Sequence, residues 1–109
     1  MTLPPFAVNA ARLIAWAMSQ PGERAESLLH FLTFTTRDPN TINHWADALS
    51  RIQTFADEQG GPKLALDDYV ACVEWVARAS QPETEARAEV KRSIFQAAQQ
   101  YCREGSNHQ

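Results

Sequence analysis

Proline and glycine cut this sequence at regular places, and that punctuation limits what the chain can fold into. The breaks fall at Pro4-Pro5, Pro21-Gly22, Asp38-Pro39-Asn40, Gly60-Gly61-Pro62 and Pro82. Proline inside a helix removes a backbone donor and clashes with the preceding turn, and glycine is favoured just beyond a helix end. The stretches between the breaks are long enough for helices, and their apolar residues recur mainly at helical spacing. The expected fold is all-α: an irregular bundle of four to five helices at about 6–19, 23–36, 39–59, 67–79 and 81–103. Residues 1–104 are expected to form a single helical domain, with 105–109 as a flexible tail.

The first segment is interrupted only by Asn9 and Arg12 before its last turn. A helix apolar nearly all round is either buried or part of an interface, and covering every side of one helix is hard in so small a domain. The expectation is an interface. In the second segment Ala25, Leu28, Leu29 and Leu32 keep helical spacing, but Leu32-Thr33-Phe34-Thr35-Thr36 alternates like a strand. It reads as a helix with a frayed or extended end. The third has Asp38 as N-cap, Pro39 at the first helical position, and a seam of Ile42, Trp45, Leu49, Ile52 and Ala56, with Gly60-Gly61-Pro62 as its stop. The fourth opens at Asp67-Asp68, acids suited to a helix N-terminus, and shows a face of Tyr69, Val70, Val73, Val76 and Ala77. The fifth opens with a Ser80–Glu83 capping box and carries Ala86, Val90, Ile94, Ala97 and Tyr101 on one stripe, with Gly105 as its stop.

At 109 residues, 44% hydrophobic and 21% charged, the chain has the composition of one ordinary globular domain. Its net charge is −3, and neither half is polarised: residues 1–62 hold 4 basic and 6 acidic side chains, residues 63–109 hold 6 and 7. Proteins that live on phosphate backbones normally show a basic face, so this balance argues against nucleic acid as the partner. No stretch approaches the roughly 20 apolar residues of a membrane span. The first residues lack the positive start of a signal peptide. The expectation is a cytoplasmic protein, off the membrane, with its two cysteines reduced.

No constellation of acid, base and nucleophile can be named, so no enzyme is expected. His44 and Asp47 share a helix face, but a zinc site needs about four ligands, and His30 and His108 stand elsewhere. Neither a metal nor any other cofactor is expected. Cys72 and Cys102 fall on or beside apolar stripes, where free cysteine packs as a small hydrophobe. The pairs Asp57-Glu58 and Asp67-Asp68 are adjacent in sequence and point about 100° apart on a helix, so neither is a natural catalytic dyad. Arg87, Lys91 and Arg92 cluster on the fifth segment, with Arg103 beyond them, and read as a solvated face.

The aromatic residues carry the functional lead. Trp16, Trp45 and Trp75 sit one to a helix, and Trp45 lies on a core seam. Trp16 (beside Arg12), Phe55 and Trp75 lie off the main stripes, and Phe34 widens a face. Exposed aromatics mark protein interfaces. Trp16, Arg12, Phe34, Phe55 and Trp75 are therefore the candidate partner-binding residues. The expected function is a non-enzymatic regulatory module of the inhibitor or antiactivator kind. It would mask or assemble a partner protein such as a transcription factor, and act as a homodimer. The alternatives are a small DNA-associated transcriptional regulator working through Arg87, Lys91 and Arg92, and a helical domain that binds a small molecule.

Overall fold

The structure is a computed structural model describing residues 3–37, 43–79 and 84–107. It contains five helices: α1 (Pro5–Met18), α2 (Glu23–Arg37), α3 (Asn43–Gln59), α4 (Leu66–Ala79) and α5 (Thr84–Asn107). Among the described residues there is no strand. The all-α bundle read from the sequence is the fold. The expected Asp38 cap, Pro39, Ile42 and the Ser80–Glu83 capping box lie outside the described residues.

α1 is the centre of the bundle. Proline at its first position fits a helix start, because the donor it lacks has no partner there in any case. Its buried positions are mostly small: Ala7, Ala10, Ala11 and Ala17 are fully buried, with Leu13 and Ile14 at 1% exposure. Small side chains let neighbouring helices approach closely on several sides. α1 packs against α2, α3, α4 and α5, most extensively against α5. Its solvent edge is one line of Pro5, Asn9, Arg12 and Ser19, with Trp16 half-buried among them. The expectation that this helix forms an interface is therefore corrected. The chain covers it with its own four other helices.

Those four form a ring that is not closed. α4 packs on α5, α5 on α2, and α2 on α3. α3 and α4, although consecutive, do not pack along each other.

α3 ends where the sequence places its stop. Gly60 has φ +72°, the left-handed conformation of a helix terminator, and the Gly61 N–H donates to the Ala56 carbonyl at 2.7 Å. Gly61 is needed for a different reason. A Cβ there would lie 2.6 Å from Trp16 Cε2.

Two ends differ from expectation. α2 stays helical through Arg37, because Leu32 and Thr35, three residues apart, are both fully buried. Packing overrides the strand-like alternation. The hydroxyls of Thr33 and Thr35 turn back onto the carbonyls of Leu29 and Leu32 at 2.8 and 3.0 Å. α5 runs through Gly105 to Asn107, so Gly105 does not stop it and the expected tail at 105–109 is helical up to Asn107.

Lys91 is the largest departure. It is 1% exposed, and its Nζ donates to the Thr35 carbonyl at 2.8 Å. The last carbonyls of a helix lack intrahelical partners and form its negative end. An ammonium from α5 meets that need at the end of α2. The reading of Lys91 as part of a solvated basic face is corrected.

Gly61→Ala is expected to lower stability by about 1–3 kcal/mol, since the Trp16 ring must give way. Lys91→Met is expected to cost a similar amount, about 1–3 kcal/mol, by stripping a buried carbonyl of a donor. Thermal unfolding followed by circular dichroism checks both, and an unchanged midpoint would contradict either account.

Candidate interaction surface

Of the five candidate residues only Trp16 and Phe55 come together. Phe55 is 5% exposed and packs against Trp16 with the rings tilted at 49° and their centroids 5.5 Å apart, so its expected exposure is corrected. The Arg24 guanidinium lies 5.2 Å from the same Phe55 ring and pairs with Glu58. Trp16 is half-buried and held under Gly61. Trp75 is half-buried and meets Phe6 edge-on at 5.7 Å. Arg12 is exposed but lies over the Tyr101 ring at 5.0 Å. Phe34 stands out from the bundle at 63% exposure, in an open depression on α2 beside Glu26, His30 and Phe31.

A more organised surface lies where the ring of helices is open. Its first wall is α4. Cys72 and Val76 point at the core and are fully buried. Helical spacing then places Leu66, Val70, Val73 and Ala77 (i, i+4, i+7, i+11) on one flank of α4, and Leu66 from that flank stands beside α3 residues. Leu66 is 73% exposed and Val70 43%, while Val73 and Ala77 are half-buried. The second wall is the flank of α3 that carries Ala46, Ser50, Gln53 and Asp57.

The connection between the walls is pinned. Gln53 accepts the Leu64 N–H at 2.6 Å through Oε1 and donates through Nε2 to the Pro62 carbonyl at 3.2 Å and to Asp57 at 2.9 Å. This tucks Leu64 in to 6% exposure. The Tyr69 hydroxyl donates to the Ala46 carbonyl at 3.1 Å and ties the walls together at depth. Above these ties remains a groove of about 260 Å³ lined by Ser50, Thr54, Lys63, Leu64, Leu66 and Tyr69.

The sequence signal for this surface was present. Val70 stands four residues after Leu66 and two before the buried Cys72, so it falls off the line of Tyr69, Cys72 and Val76. Treating residues 69, 70, 73, 76 and 77 as one face hid that split.

The local charge is acidic. Burial pushes the Tyr69 hydroxyl above its ordinary pKa, and the nearby Asp47 charge pushes it further. Burial, with a smaller contribution from Asp68, pushes the Cys72 thiol up to about 12. Cys72 is thus a protonated core side chain, without the thiolate a nucleophile needs. His30 and His44 are exposed, and Asp47 is engaged by Arg51 at 2.9 Å. Among the described residues no group of three or more His, Cys, Asp or Glu could hold a metal ion. Arg92 and Arg103 are exposed, whereas the side chain of Arg87, like His108, lies outside the described residues. Among the described residues no helix is long and apolar enough to cross a membrane.

Comparison with protein-family models, with curated proteins and with solved structures found no match for this chain.

The raised thiol makes a prediction about alkali. The unfolded chain releases the Cys72 proton near its ordinary 9.0, while the folded chain keeps it to about 12. Stability from this group is complete below pH 9.0 and is lost as pH rises towards 12. Tyr69 acts in the same direction above its ordinary 10.0. The thermal midpoint should fall as pH passes 9.0, and Cys72→Ala should flatten that fall relative to its own neutral-pH value. Equal slopes in the two proteins would refute it.

Proposed function

We propose that the protein is a non-enzymatic protein-binding module that regulates a partner by masking or assembling it, as an inhibitor or antiactivator does. The observation that supports this most is the seam between α3 and α4, where Leu66 and Val70 stay exposed beside a structured groove. Apolar side chains left out of a core that is otherwise closed around α1 are the kind that a partner covers. Docking by an apolar groove needs no catalytic group, and it would hold the partner by steric exclusion.

Self-association was argued from an uncovered first helix, and α1 is covered by the chain itself. The reading therefore shifts from a homodimer towards a heterologous protein at the seam. Two alternatives have less behind them. A DNA-associated regulator loses Lys91 from its basic face. For a small-molecule site, the seam groove of about 260 Å³ falls below the roughly 300–1,000 Å³ usual for such pockets, and the α2 depression at Phe34, about 570 Å³, is broadly open to solvent.

The protein should be captured from a lysate of its native cells alongside Leu66→Ser/Val70→Ser and Phe34→Ser variants that melt like the parent. A stoichiometric protein partner held by the parent and by Phe34→Ser, and lost from the double variant, is the expected result. A bait that retains nothing, or a partner the double variant still holds, would overturn the assignment of the seam.

A further inference from the structure

We draw no further inference here: the strongest candidate, the surface patch on α2 where Phe34 stands exposed beside Phe31 with Glu23, Glu26 and His30 around it, carries nothing because its two glutamates sit in the first turn of α2, where the helix N-terminus answers their charge, and nothing in the structure shows what covers it.

Discussion

Everything in this fold depends on the burial of α1. A helix apolar on most of its surface has to be surrounded, and α1 can be surrounded because five of its seven core positions are alanine. With Ala7, Ala10, Ala11 and Ala17 fully buried, neighbouring helices can approach its backbone from several directions. Leu13 and Ile14 fill the wider gaps between them. The cost of the arrangement is that four helices must share one axis. α4 and α5 give α1 their most extensive packing, whereas α2 and α3 pack most extensively on each other. α5 is the partner with the largest share, which suits its position as the longest helix.

That sharing explains why the ring closes on some sides and not on another. The two flanks of α3 have different chemistry. The flank towards α2 holds Phe55, Arg51 and Glu58, which engage Trp16, the Phe31 ring and Arg24. Long side chains on both helices bridge the space, and their stems cover apolar surface while their heads stay in water. The flank towards α4 holds Ala46, Ser50, Gln53 and Asp57. These are short or polar, and they spend their hydrogen bonds on the loop and on Tyr69 instead of on the body of α4. α4 is left with an apolar flank and no helix to bury it.

Much of the fold was legible in the sequence, and the failures share a cause. The Gly60 stop and the Trp45, Leu49, Ile52 and Ala56 seam were legible because each rests on local rules, a left-handed residue in one case and helical spacing in the other. The role of α1 was not. An all-round apolar helix looks the same whether the chain or a partner covers it, and only the tertiary arrangement decides. Phe55 was misjudged because a bundle with a central helix uses two faces of α3, and the sequence pattern weights one. The strand-like end of α2 was overruled by the burial of Leu32 and Thr35. Phe34, which lies off the seam, was read as exposed and is 63% exposed. The α4 flank was not legible, since deciding which of two apolar stripes faces the core needs the position of α1.

Lys91 shows the same limit in electrostatic form. A lysine among arginines reads as solvent-facing because burying an ammonium without compensation costs far more than a surface position. Part of the compensation is a feature no side-chain pattern contains: the carbonyl end of α2, where the Thr35 oxygen accepts from Lys91. The contact spans 56 residues of sequence, so nothing local announces it. It also ties α5 to the end of α2 on the side away from the seam. A specific polar tie holds that junction, and a loop anchored by Gln53 holds the connection between α3 and α4. The opening between α3 and α4 is therefore bounded by two fixed structures, which makes it a shaped surface on a rigid frame.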